Sequence, residues 1–275
     1  MASKDIDPRH DTAPERVAQD PWSGLRRYTA ARLALGRTGA SLPTREVLGF
    51  GLAHAQARDA VHLPLDLAAL AEGLTQRGLA SVTVASQATD RAAYLLRPDL
   101  GRRLDPADAK RLAERQDAPF ELLLVIADGL SSMAIERHAL PLVDAICASR
   151  PEGWRLGPVV LARQARVALG DEIGAALHAP MVAVLVGERP GLSAPDSLGI
   201  YLTLGPRPGR MDAERNCISN VRPAGLAYPA TARKLWWLCQ AGRQLGLTGV
   251  ALKDNSDAAP LADPGTPDAL TEPDA

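Results

Sequence analysis

Aromatic residues make up only 4% of this 275-residue sequence, and charge of either sign is not in excess, with 31 Lys and Arg against 32 Asp and Glu. Single-stranded nucleic acid is held on aromatic stacking platforms and duplexes on clustered basic faces, so nucleic acid is not an expected partner. Cysteine is scarce too: Cys147, Cys217 and Cys239 are odd in number and widely spaced. Without a C-x-x-C pair they indicate neither a disulfide framework nor a structural zinc site, and they suit a reducing compartment. No apolar run approaches the length of a membrane span, and the first 21 residues lack the apolar core of a signal peptide. The expectation is a cytoplasmic chain with no membrane partner.

Familiar catalytic signatures are missing as well. There is no G-x-S-x-G, no H-E-x-x-H, no phosphate loop and no G-x-G-x-x-G after a strand. His10, His54, His62, His138 and His178 do not cluster in the sequence. No residue is therefore assigned a catalytic or metal-binding role.

What is present is an ordinary globular composition, 46% apolar, and a change of period along the chain. Residues 1–21 are polar, charged and proline-containing, and are expected to be disordered. Apolar spacing predicts helices over 25–36, from Thr44 onward, and from Pro64 to Gly78. Val82 and Val84 then alternate with small or polar residues, and with Ala93–Leu96 they suggest a short hairpin. Asp105-Pro106 gives a cap and first residue for a helix to about Arg115. Leu122–Ala127 reads as a buried strand, Asp128-Gly129 as a turn, and Ser131 or Ser132 as the cap of a helical region broken near Pro141. Strands over 158–162 and 200–204 and a short helix near Gly170 follow. Residues 206–225 have no period and read as a long loop, of the kind that is usually functional. A last helix spans Pro229 to Leu245, and the tail beyond Lys253 is expected to be disordered. Strands separated by helices of ten or more residues argue for a Rossmann-like α/β fold: a largely parallel sheet covered by helices, with a helical N-terminal region.

The stretch Met181–Gly199 anchors this reading. Six apolar residues form a strand buried on both faces, and Gly187 and Pro190-Gly191 end it abruptly. Ligands of open α/β sheets bind beyond the carboxyl ends of the strands, so Glu188 and Arg189 stand at a candidate site.

VGERPGLSAPDSLG (Val186–Gly199), followed by RNCISN (Arg215–Asn220), resembles the small subunit of ethanolamine ammonia-lyase, an adenosylcobalamin-dependent enzyme. RPDLGRRL (Arg97–Leu104), DGLSS (Asp128–Ser132) and V-x-x-G-D-E-I-G (Val167–Gly174) match the same family in the same order, so the resemblance covers roughly residues 22 to 250.

The composition and periods above divide the chain into disordered ends over 1–21 and 253–275, a helical region with a small hairpin over 22–117, and a Rossmann-like domain over 118–252, which the resemblance makes the cobalamin-binding one. The resemblance also implies a large TIM-barrel partner subunit that binds ethanolamine, with adenosylcobalamin between the two, deaminating ethanolamine to acetaldehyde and ammonia in a bacterial cytoplasm. Whether a microcompartment encloses the enzyme is left open. The motif D-x-H-x-x-G, which in other cobalamin domains supplies a histidine to cobalt, is absent here, so the cofactor's own dimethylbenzimidazole is expected to stay on the metal. Motif positions carry over Val167, Glu188 and Cys217 as cobalamin contacts. Asp128, Ser131 and Ser132, which could face a phosphate, read better as a turn and a helix cap. Two other readings remain: a non-catalytic structural subunit, and a nucleotide-binding oxidoreductase, which the missing glycine fingerprint disfavours.

Overall fold

The computed structural model describes residues 17–257, so the disorder expected of both ends falls mostly outside the described residues. The chain divides into two compact units, Met1–Ala57 and Arg58–Ala275. In the first, the main chain of Ala18 bonds that of Arg37 at 2.7 and 2.9 Å, and a 3-10 turn spans Pro21–Arg27, its first amide held by Asp20. The helix expected over 25–36 does not form. Ala34 and Gly36 take left-handed φ values of 53° and 77°, which an α-helix of L-residues excludes. Helix α1 (Thr44–His62) begins in this unit, starting where the sequence reading puts it. Of its residues only Ala53 and Ala60 are buried, while Val47, Leu48, Phe50 and Leu52 are exposed.

The second unit is built on a six-stranded sheet in the order β1-β3-β2-β4-β5-β6. Strands β1 (Ser81–Ala85), β3 (Val159–Arg163), β2 (Leu123–Ala127) and β4 (Met181–Gly187) run parallel, and β5 (Leu198–Leu204) and β6 (Asn216–Val221) add to β4 antiparallel. The fold is α/β with a mostly parallel mixed sheet flanked by helices. Alternate residues of each strand serve opposite faces. On one face Leu124, Ile126, Leu161, Leu185 and Ile200 pack with α2 (Leu67–Gln76), α5 (Ser132–Ala148) and α7 (Tyr228–Leu245). On the other, Val125, Val160, Val182 and Val184 meet Leu112 of α4 (Pro106–Ala113) and Leu169 and Ile173 of α6 (Leu169–Ala176). Full burial of each such side chain contributes about 1.5–3 kcal/mol.

Three local expectations are corrected. The hairpin over 82–96 is absent: β1 pairs with β3, and Arg91–Leu96 is a helix, α3, whose cap Asp90 accepts from Ala93 N at 2.8 Å. Helix α5 runs through Pro141 instead of breaking there. The proline forfeits one ladder bond, but the buried Leu142, Val143 and Ile146 beyond it hold the helix to the sheet. Within the supposed loop 206–225, β6 is a strand. No helix among the described residues is long and apolar enough to cross a membrane.

Candidate functional site

Sheet topology puts a crevice at the carboxyl edge. From β2 the chain crosses through α5 to β3 on one side, then returns through α6 on the opposite face to β4 on the other side. Loops leaving β2, β3 and β4 diverge around that reversal, where open α/β sheets hold ligands. A cleft of about 440 Å³ lies there, floored by Leu130, Val186 and Tyr201 and edged by Val167, Glu188 and Arg166.

Two glycines bring the loops together. A Cβ on Gly187 would lie 2.1 Å from Ser131 O, and one on Gly129 (φ 58°) 2.3 Å from Gly187 O. Gly187 thus serves a backbone-to-backbone approach, sealed by the bond from Leu130 N to Gly187 O at 2.9 Å.

Asp128 ties the third loop in. Its buried carboxylate accepts from Gly129 N at 3.0 Å and from Gln164 N and Ala165 N at 2.9 Å, fixing the backbone just ahead of Val167. Burial pushes this carboxyl above its ordinary range, and the three amides oppose the shift. Ser131 caps α5, accepting from Ala134 N, and donates to Pro195 O at 2.8 Å. Ser132 donates to Leu63 O at 2.7 Å. These residues hold the walls, as the cap reading expects.

Val167 and Glu188 both line the cleft. Among the described residues Glu188 makes no ion pair with Arg189. Its carboxylate accepts instead from the Ser197 hydroxyl and, at 3.4 Å, from Asn220 N. The second bond has a cause in the sheet. Between the pairs Leu198↔Val221 and Ile200↔Ile218, Gly199 alone faces both Ser219 and Asn220, a bulge that frees the Asn220 amide. Asn220 adopts φ 59° there.

Cys217 does not line the cleft. It is the exposed cross-strand partner of Tyr201, which does, and its Sγ lies 3.4 Å from Ser219 Oγ. Burial, then Cys217 and Glu188, push the Tyr201 hydroxyl well above the ordinary tyrosine range, so it remains a neutral donor. The three sequence-derived positions therefore form one continuous surface, two on the cleft and one beside it.

Sequence reasoning missed Tyr94, Arg91 and Arg166. Tyr94 is fully buried in α3, donates to Ala165 O at 3.2 Å, and is pushed up to about 12 by burial. The Arg91 and Arg166 guanidiniums lie over its ring at 4.7 and 4.5 Å from the centroid. Gly101, inside the RPDLGRRL motif, fits against both Tyr94 and Arg166: a Cβ there would meet their side chains at 2.9 and 3.0 Å. Reading Ala93–Leu96 as a strand hid this cluster, and the Asp90 cap was the signal that could have exposed it.

The family model described as ethanolamine ammonia-lyase light chain (EutC) matches residues 19–253. An ethanolamine ammonia-lyase small subunit of Azotobacter vinelandii is 54% identical over 254 residues, covering 91% of this chain and 94% of that protein. Small subunits of Pseudomonas aeruginosa (54% over 252 residues, 90% and 92%) and Ralstonia nicotianae (53% over 264 residues, 94% and 97%) are similar to it as well.

Proposed function

The chain belongs to the ethanolamine ammonia-lyase light-chain family and is the small subunit of such a lyase, and from that premise we propose that it builds one wall of an adenosylcobalamin site whose other wall is a large TIM-barrel subunit. Ethanolamine binds on that partner. The observation that carries the reading is the cleft at the sheet's carboxyl edge, continuous with the open β5–β6 face.

The residues fit the group. A corrinoid with its nucleotide tail is far larger than a cleft of about 440 Å³, so one wall of a shared site is what this surface suits. The apolar floor of Leu130, Val186 and Tyr201 suits the macrocycle's hydrocarbon edge, and the Glu188 carboxylate suits the amides on its rim. Val167 would pack against it, and Cys217 would bound the far side. None of the described histidines lines the cleft. Adenosylcobalamin, when bound, would supply the radical chemistry of the deamination. This chain's own residues orient and shield: Glu188, fixed by Ser197 and the bulge amide, is held ready to accept, and Asp128 holds the Val167 loop. Substrate acid–base groups are assigned to the partner. The proposed location is the bacterial cytoplasm.

Titration of cobalamin into the assembled two-subunit enzyme tests the reading. Glu188→Ala should weaken binding by up to about two orders of magnitude, the cost of leaving buried donors unpaired. Glu188→Gln keeps an acceptor for Ser197 and should cost less. KM for ethanolamine at saturating cofactor should stay near wild type for both. Unchanged cobalamin affinity in an intact Glu188→Ala complex would overturn the assignment, and a wild-type complex that binds no cobalamin would favour a purely structural subunit.

A further inference from the structure

Positive charge at the cleft exceeds what the protein itself neutralises. Arg166 lines the cleft, Arg189 stands on its rim, and Arg91 lies behind it over the Tyr94 ring. Two carboxylates are nearby, and among the described residues neither pairs with Arg166 or Arg189. Asp128 accepts from three backbone amides and lies 3.6 Å from Arg91. Glu188 accepts from Ser197 and Asn220 N. Among the described residues neither Arg166 nor Arg189 has an ion-pair partner.

Arg166 is also held in place before any ligand arrives. Its Nη2 donates to Tyr94 O at 3.2 Å, its guanidinium lies over the Tyr94 ring, and its backbone N donates to Gly101 O at 2.8 Å. Its Nε is buried with no partner, and so is Nη2 of Arg91. Two guanidiniums sharing one aromatic ring repel each other, and burial strengthens that repulsion. Unsatisfied buried donors add a further cost. A fixed, half-buried cation without a counter-charge, on the wall of a cleft, is complementary to an anion delivered by a ligand, and a planar fork suits phosphate oxygens in particular.

We propose that Arg166, backed by Arg91 across the Tyr94 ring, is the subsite for the phosphodiester of the cobalamin nucleotide tail. The proposal rests on the cobalamin reading above and deepens it. The RPDLGRRL motif then acquires a use: Gly101 leaves room for Tyr94 and the Arg166 stem to pack, and its carbonyl fixes the Arg166 backbone. Arg91 is a positioning residue, since it spends its Nε on Val61 O (2.6 Å) and its Nη1 on Gly129 O (2.9 Å).

The test compares two corrinoids that differ only in the phosphate, cobinamide and cobinamide phosphate, by equilibrium absorbance titration of the assembled enzyme, with cobalamin as reference. In wild type the phosphate should improve affinity by about tenfold or more, as a charge-assisted hydrogen-bond pair does. In Arg166→Gln that gain should nearly vanish while cobinamide affinity stays near wild type. Arg166→Lys, which keeps the charge without the fork, should retain part of the gain; this variant also guards against loss of folding, because its stem still packs on Tyr94. Equal weakening of both ligands in Arg166→Gln would mean a packing role and overturn the proposal. So would a wild type that binds cobalamin yet gains nothing from the phosphate, an outcome that leaves the cobalamin reading standing. Failure of wild type to bind any of the three would remove both.

Discussion

Arg215 grips Asp171 with both prongs of its guanidinium, Nη1 and Nη2 each lying 2.7 Å from a different carboxylate oxygen, in a pair that is almost completely buried. Nη1 also donates to Thr203 Oγ1 at 3.0 Å, and Nη2 to Arg210 O at 3.0 Å. The bond joins α6, which follows Val167, to the start of β6, which carries Cys217. It therefore ties together two parts of the candidate cofactor surface that are far apart in sequence.

Breaking one side of this pair should be worse than removing both. Arg215→Met leaves a buried carboxylate alone, which typically costs about 3–5 kcal/mol, whereas Asp171→Leu combined with Arg215→Met should cost less. Burial pushes the Asp171 carboxyl above its ordinary range even with Arg215 bonded to it. A carboxyl whose folded pKa is raised favours folding below its unfolded value, and that contribution is lost as pH rises through the folded one. The deficit of Arg215→Met relative to wild type should therefore shrink as pH falls toward 4. Urea unfolding of the three proteins across pH would check it, and a single variant no less stable than the double would sink the idea.

Gly187→Ala tests the crossing of the two loops. Its new methyl would sit 2.1 Å from Ser131 O and 2.8 Å from Asp128 O, both backbone atoms that cannot swing aside. Overpacking of this kind costs about 1–3 kcal/mol or more. A lowered Tm with weakened cobalamin binding is expected, because the Leu130 N bond to Gly187 O anchors the cleft floor. A Tm within experimental error of wild type would show that the loops can part freely.

His138 offers a pH dependence with a definite sign. It is buried, with Nδ1 2.8 Å from the Tyr228 hydroxyl and Nε2 3.5 Å from Asp196, and burial lowers its pKa although Asp196 pulls the other way. A histidine depressed in the folded state contributes stability that is complete above its unfolded value, near 6.5, and is lost as pH falls through the folded value. Wild type should lose stability relative to His138→Gln as pH drops from about 7 to 5. Parallel stability curves for the two proteins over that interval would rule the effect out.

Legibility of the fold followed burial. β2 and β4 are buried along their whole length, and such continuous apolar runs can be read without any partner in view. β6 could not be, because its only buried residues, Ile218 and Val221, are three apart across the bulge, which breaks the alternation of a strand. α3 is a six-residue run whose apolar content suits strand and helix alike, and only Asp90 separates the two. Within the site, the strand-edge rule found Glu188 from its own neighbourhood, and Val167 and Cys217 came from motif resemblance. Arg166 adjoins Val167 in sequence, yet nothing local marks it. Its meaning arises from Tyr94 and Gly101, roughly 70 residues away, and from a shortage of carboxylates that only the folded chain reveals.

Helix α1 bears on how this subunit is made. A 19-residue helix with two buried alanines and Val47, Leu48, Phe50 and Leu52 turned outward has little of its own to keep it wound, since most helical stability in proteins comes from packing an apolar face. Left uncovered, that surface is open to proteases and to other copies of the chain, so the helix is where this subunit is most vulnerable before anything packs on it.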